Sequence, residues 1–447
     1  MMSRRRFLQL SATVGMVAGL GDVRPTLAAS DYKALVCLFM FGGNDGHNVV
    51  VPLDNVQYAA YQKARGALAL PMNQLLPINV PGFGAFGLHY ALPELQALFN
   101  QRKLAIVANV GVLSRPTAYR NLSDPTFQLP TNLRSHSDQV VMMQTGYTNA
   151  GNGSGWGGRT LDGLQASNGA STFPVSIAMN SPAIYCVGAS TQGITLQPGN
   201  DLDQSAMSIY PPSAAQARAT AQQRIVAAGS GNVVIDAANQ VMSSAIGLNP
   251  ILKSAVANAA IPKAFPHTSI GDQLLEIARI ISLNAQFAVG RQVFFCGLGG
   301  FDTHGGQPYQ QWDLLQQTSK ALDAFYAALS FWGIDSRVTV FTLSDFGRTL
   351  QPSGSGSDHG WGNHHFILGG AVSGGRMYGQ FPLMTDYSNF NAVADDYADT
   401  RGSMLPSTSL AQYGATLAKW FGASDSQLNG IFPQLPSFAI RDLGFMA

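Results

Sequence analysis

An aspartate and a histidine stand two residues apart in the stretch GLGGFDTHGGQ, where Asp302 and His304 follow directly on the apolar run VFFC. Three further stretches have a similar make-up: FGGNDGHN with Asp45 and His47, SDFGRT with Asp345 and Arg348, and GSDHGWGNHHFILGG with Asp358, His359, His364 and His365. Together they hold five of the eight histidines of the chain, more than solvated turns require. Carboxylate oxygen with imidazole nitrogen suits Zn or Mn, whereas carboxylates with amide or carbonyl oxygens suit Ca or Mg. The chemistry expected of the set is that of a divalent metal site, with Zn, Mn or Ca as the candidate ions.

Taken singly, each motif also has a structural reading. Asp45, in Asn-Asp-Gly, is good chemistry for an Asx turn. Asp302 and His304 fit a helix-cap turn, and Asp345 is placed to pair with Arg348. His359 is the strongest single histidine, because an Asp-His pair in a glycine-rich loop has little packing purpose. His364 and His365 precede the strand-like FILGG, and alternation sends their rings to opposite faces, so at most one should face a shared site. A nucleophile is offered by NLRSHSDQVVMMQTG, where Ser135 or Ser137 opens an apolar helix whose amides and dipole stabilise an anion. Either serine could instead be a simple N-cap. Other templates fail: there is no G-x-S-x-G, H-E-x-x-H or P-loop. The G-x-G fragments near Gly153 and Gly354 lack the strand and helix of a dinucleotide site.

The elements that must position these residues are legible in the hydrophobic pattern. ALVCLFMF, Ala34 to Phe41, is a continuous apolar run stopped by two glycines and predicts a strand buried on both faces. LPELQALFNQRKLAIVANVG predicts a helix and then a strand over Leu104 to Val110. GDQLLEIARIISLNAQFAVG, followed by RQVFFCGL, repeats the pattern, and so does a helix over Gln311 to Phe331 followed by RVTVFTL. This alternation predicts an α/β fold with a mostly parallel central sheet flanked by helices on both faces. Three of the polar motifs follow strands, and ligand sites in such sheets form outside the strands' carboxyl ends, so the loops are expected to converge. The stretch 149–266, rich in Gly, Ser, Asn and Ala, is expected to be an insertion or cap on a single domain spanning 30–447. TSLAQYGATLAKWFG should be a helix with Trp420 and Phe421 in the core.

A net charge of +1 and a charged fraction of 11% exclude a nucleic-acid footprint and point to a small or neutral partner. The first 29 residues form a separate unit: a basic start, an apolar stretch from Phe7 to Leu20 and small residues before Ser30 are those of a cleavable export signal. Ser3 to Leu8 reads S-R-R-R-F-L and resembles the twin-arginine signal, so the twin-arginine machinery is an expected partner and the periplasm or exterior the expected location. The apolar stretch is shorter than the roughly 20 residues of a spanning helix, so no stable membrane span is expected. The alternative is a short N-terminal anchor. Cys37, Cys186 and Cys296 form no C-x-x-C pair. Buried inert thiols are expected of Cys37 and Cys296, with one disulfide of unassigned pairing the alternative.

The leader, FMFGGNDGHNVVVPL, RSHSDQVVMMQTG, GGFDTHGGQ, LSDFGRTLQPSGSGSDHGWGNHHFILGG and LAQYGATLAKWFG together resemble the exported bacterial family known as domain of unknown function 1501. That family is grouped with the alkaline-phosphatase-like and sulfatase-like superfamily, which places two metals at the carboxyl ends of a parallel sheet and uses a Ser, Thr or modified Cys nucleophile. The resemblance implies metal ligands at Asp45, Asp302, His304, Asp345 and His359, a nucleophile at Ser135, and Arg134 or Arg348 as a clamp on the non-reacting oxygens. It implies in-line displacement at phosphorus or sulfur on a small-molecule or polymer ester. This sequence departs from the pattern in two places: Asp302-x-His304 is shorter than the usual Asp-x-x-x-His, and Phe346 stands where many relatives have His or Asn. Ser114-Arg115-Pro116-Thr117-Ala118 lacks the closing arginine of the formylglycine signature. The alternatives are a non-catalytic exported binding or assembly protein on the same scaffold, and a redox or cofactor enzyme.

Overall fold

The computed structural model describes residues 31–447, apart from 119–120, 125, 150, 170, 172, 200–210, 233–234, 237–238, 240–241, 244–245, 248–259 and 385–395. The expected export signal therefore lies outside the described residues. The strands in chain order are β1 (Lys33–Met40), β2 (Val50–Pro52), β3 (Leu76–Val80), β4 (Gly84–Leu88), β5 (Leu104–Gly111), β6 (Ser176–Met179), β7 (Ile194–Leu196), β8 (Arg291–Leu298), β9 (Val338–Ser344), β10 (Arg348–Ser353), β11 (Gly356–His359), β12 (Asn363–Leu368), β13 (Met377–Tyr378) and β14 (Thr408–Ser409).

The main sheet runs β13-β5-β12-β9-β1-β8-β6-β7, with β14 beside β5. β1 lies parallel to both β8 and β9, and β6 lies parallel to both β7 and β8. Only β12 runs against its neighbours β5 and β9 among the described pairings of this sheet. The apolar run of β1 divides by alternation. Ala34, Val36, Leu38 and Met40 enter one core with the helices Pro93–Asn100, Ser269–Ser282 and Gln307–Phe331. Leu35, Cys37 and Phe39 enter the other with the helices His136–Thr145, Trp156–Asp162, Leu410–Phe421 and Asp425–Ile431. A strand apolar at every position after its first, Lys33, is what a sheet covered on both faces requires.

Local signals set the helix ends. Thr268 accepts from the Gly271 amide to start one helix, and Ser409 with Gln412 forms a capping box on the C-terminal one. Trp420 and Phe421 are buried there, as expected. Cys37, Cys186 and Cys296 are free and buried.

The stretch expected to be a cap divides in two. Its first part supplies β6 and β7, which extend the main sheet beyond β8. Its helix Pro212–Ala227 buries none of its described side chains. The two strands were missed because SIAM and ITL are too short to show a period against their Gly- and Ser-rich surroundings.

Candidate metal centre

The register brings the three strand ends level: Met40 of β1 pairs with Leu298 of β8 and with Ser344 of β9. The loops that follow therefore leave the sheet side by side. They approach closely at Gly42, where an added Cβ would lie 2.3 Å from the Asp302 amide nitrogen and φ is +111°. A side chain at this position would push the loops apart. The β10–β11 hairpin pairs Arg348 with His359 and carries the histidine over the same end of the sheet. The helix His136–Thr145 delivers His136 from its first turn.

Three donor atoms close on one another there, and a fourth lies against two of them. His136 Nε2 lies 3.1 Å from His359 Nε2 and 3.4 Å from Asp302 Oδ1, and His359 Nε2 lies 3.4 Å from the same oxygen. His304 Nε2 lies 2.8 Å from His359 Nε2 and 3.1 Å from Asp302 Oδ1. The result is two triangles sharing the His359–Asp302 edge. Donors bonded at about 2.0–2.1 Å around a tetrahedral ion stand about 3.3–3.4 Å apart, so the His136–Asp302–His359 triangle has the dimensions of one face of such a site.

The outer ring nitrogens decide what the inner ones can be. His136 Nδ1 donates to Asp345 Oδ2 at 2.6 Å, His359 Nδ1 donates to the Arg134 carbonyl at 2.8 Å, and His304 Nδ1 donates to Asp358 Oδ1 at 3.2 Å. With each Nδ1 carrying a proton, each neutral ring turns a lone pair at Nε2 toward the others. Lone pairs at these separations repel unless a proton or a cation lies among them. A histidine that ligates a metal through one nitrogen while donating the other to a carboxylate or carbonyl is the common arrangement in metal sites. The residues present therefore fit a divalent ion.

The electrostatics agree. The bond to Asp345 raises the His136 pKa above the ordinary imidazole value despite burial. Burial lowers that of His359, outweighing its bond to the Arg134 carbonyl. Burial opposes ionisation of Asp302, but His136, Arg348 and His304 outweigh it and hold the carboxyl below its usual range.

Of the residues singled out in the sequence, Asp302, His304 and His359 come together in this cluster. Asp45 does not join them. It accepts from the His47 amide as a turn and cap residue, and its carboxylate is taken up by Arg65 and Gln307 in the buried interior. Asp345 holds His136 and the Gly42 amide, not Arg348. Arg348 is fully buried, and its guanidinium is committed to Asp302 and to the carbonyls of Gly42 and Ser357. It braces Asp302 and has no free face for a substrate. Ser135 sits at the N-cap position but makes no cap bond; its hydroxyl donates to Asp138 at 2.6 Å. His364 and His365 are both buried away from the cluster, stacked on Phe381 and Tyr413. Phe346 packs its ring against both His136 and His359, at 4.8 and 4.7 Å.

His136 is the residue that sequence reasoning missed. It lay between the two serines weighed as nucleophiles, and no second ligand stands near it in the chain. The available signal was a histidine in the first turn of an apolar helix, where it has no core to fill.

No curated protein matches the chain. Among solved structures, a sulfatase from Pseudoalteromonas sp. aligns at 11% identity and a TM-score of 0.35, covering 93% of this chain and 72% of that one. The soluble domain of lipooligosaccharide phosphoethanolamine transferase A from Neisseria meningitidis aligns at 9% identity and a TM-score of 0.34, covering 89% and 90%. The C-terminal periplasmic domain of an Escherichia coli protein, solved with zinc, aligns at 10% identity and a TM-score of 0.30, covering 90% and 87%. The model of the family described as protein of unknown function DUF1501 matches residues 32–397, and the chain belongs to that family.

Proposed function

We propose that the protein is an exported metal-dependent hydrolase of phosphate or sulfate esters, with one divalent ion held by His136, Asp302 and His359 and with His304 closing on the shared His359–Asp302 edge. The observation that carries the reading is the convergence of three imidazole nitrogens and one carboxylate oxygen whose outer partners are already engaged. Asp45 and Asp345, the remaining candidates for a second ion, are committed to other partners, so the proposal is for a single ion.

A bound divalent ion would supply Lewis-acid polarisation of the ester and a lowered pKa for the attacking group. The chain's own residues do the rest. Asp345, Asp358 and the Arg134 carbonyl fix the tautomers and directions of the three histidines, and Arg348 fixes Asp302. Arg134 and Arg401 keep partly exposed guanidinium groups beside the cluster, suited to the non-reacting oxygens of an anionic ester. Export by the twin-arginine route, to the periplasm or beyond, rests on the leader; no described helix is long and apolar enough to cross a membrane.

The direct test is metal content by mass spectrometry together with turnover of aryl phosphates and sulfates, before and after chelation. Metal at about one ion per chain, with activity that is lost on chelation and restored by Zn, Mn or Ca, is the expected result. Protein that takes up none of these ions overturns the reading. A non-catalytic metal-binding role is favoured by one observation, the engagement of the Ser135 hydroxyl with Asp138 and not with the cluster. Full metal occupancy without turnover of any ester would select it.

The pH dependence follows from His136. Its raised pKa means that proton and ion compete for Nε2 up to and beyond the ordinary imidazole value of about 6.5. Apparent zinc affinity should rise with pH through that value and level off only above the raised folded value. For the metal-free protein the sign is opposite, because a raised pKa gives stability that is present below about 6.5 and lost as pH climbs through the folded value. The gap in Tm between zinc-loaded and chelated protein should therefore widen as pH rises. A gap that stays constant across that range removes His136 from the ligand set.

A further inference from the structure

We propose that the loop 396–404 positions the metal-binding histidines from outside, through Asp399 and Arg401. This rests on the metal reading above. Arg401 pairs with Asp358, whose other oxygen accepts from His304 Nδ1 at 3.2 Å. Asp399 pairs with Arg134, whose carbonyl accepts from His359 Nδ1 at 2.8 Å. Asp399 Oδ1 also accepts from the Arg401 amide at 2.9 Å. With His304 and His359 only 2.8 Å apart at Nε2, these six residues form a closed circuit around two of the ligands.

The circuit is mounted on rigid backbone. Gly402 and Arg401 offer their carbonyls to the amides of Leu350 and Gln351, both at 3.0 Å, so the loop is bonded to β10 of the hairpin that carries Asp358 and His359. Within the loop, the Ala398 amide donates to the Ser403 carbonyl at 2.8 Å. The backbone that carries Asp399 and Arg401 is thus held against the hairpin before the pairs form, so their formation has only side-chain rotamer freedom left to lose. Arg134 adds a second sign of constraint: its φ of 77° is left-handed for a residue that is not glycine. Such backbone persists where the surroundings over-determine it. Here the side chain is held by Asp399 while the carbonyl is held by His359.

A direct outer partner of a ligand is worth about 10- to 100-fold in metal affinity, and Asp399 and Arg401 act one step further out, so about three- to tenfold is expected of each. The test is zinc affinity by competition with a chromophoric chelator, with the absorption spectrum of bound Co(II) as a second readout. The proteins compared are the wild type, Arg401→Gln, Asp399→Asn and Arg401→Lys. Weaker zinc binding and an altered Co(II) spectrum in the first two variants, at an unchanged Tm of the metal-free protein, with partial rescue by Arg401→Lys, is the expected result. The double variant should be little worse than either single one, because both break the same circuit. If Asp399→Asn does not fold, Arg134→Gln cuts the same link from its more exposed end and keeps the carbonyl. Variants that bind zinc like the wild type, or that lose metal-free stability instead of affinity, overturn the positioning role while leaving the metal site standing. Wild-type protein that binds no zinc overturns both.

Discussion

Replacing His136 with alanine is expected to weaken zinc binding by more than about 100-fold, beyond the range of outer-partner losses. Replacing Ser135, one residue earlier, with alanine should leave affinity within about twofold, since its hydroxyl engages Asp138 and not the cluster. The contrast follows from direction alone. His136 turns Nε2 toward His359 at 3.1 Å and Asp302 at 3.4 Å, while its Nδ1 is spent on Asp345. Asp345→Asn should then fall between the two, at about 10- to 100-fold, because an amide can present its NH2 and turn the ring to the wrong tautomer. The same chelator titration reads all three variants, with circular dichroism to show that each is folded. His136→Ala protein that holds zinc as tightly as the wild type would remove this residue from the centre, and the His359–Asp302–His304 triangle would have to act alone.

The parts of this arrangement that were legible in the sequence are those that depend on period and order. A continuous apolar run marked β1 as a strand buried on both faces, a repeated helix-then-strand pattern marked β8 and β9, and polar motifs directly after them implied loops meeting at one end of the sheet. What could not be read was which carboxylate faces which partner. Asp45 and Asp302 occur in nearly the same setting, a glycine-rich turn after a strand, with a histidine two residues on. They part company through residues distant in sequence: Arg65 reaches Asp45 from the end of the helix Asn55–Arg65, and Gln307 reaches it from the start of another. Arg348 similarly bypasses the nearby Asp345 and reaches Asp302, because its strand pairs with the one that carries His359. Hydrophobic period sets the sheet, but the choice of ion-pair partner is made only when the loops are packed together.

That choice predicts a large loss of stability at Asp45 with no loss of metal. Its carboxylate and the Arg65 guanidinium are both out of contact with water, and Arg65 also donates to the carbonyls of Thr349 and Leu350 at 3.0 and 3.1 Å. Removing one member of a buried pair leaves the other charge without compensation, so Asp45→Ala should cost about 3–5 kcal/mol in urea unfolding. Arg65→Met should cost a similar amount, for the converse reason. The double variant Asp45→Leu with Arg65→Met should recover part of that loss, because it no longer buries a lone charge. Zinc affinity of the folded single variants should remain within about twofold, since neither residue touches a ligand or its outer partner. An aspartate that held an ion would behave in the opposite way: its alanine variant would release zinc, and in excess chelator its stability would match that of the wild type. Unfolding curves with and without chelator thus separate a buried structural carboxylate at Asp45 from a ligand there, and distinguish one metal position from two.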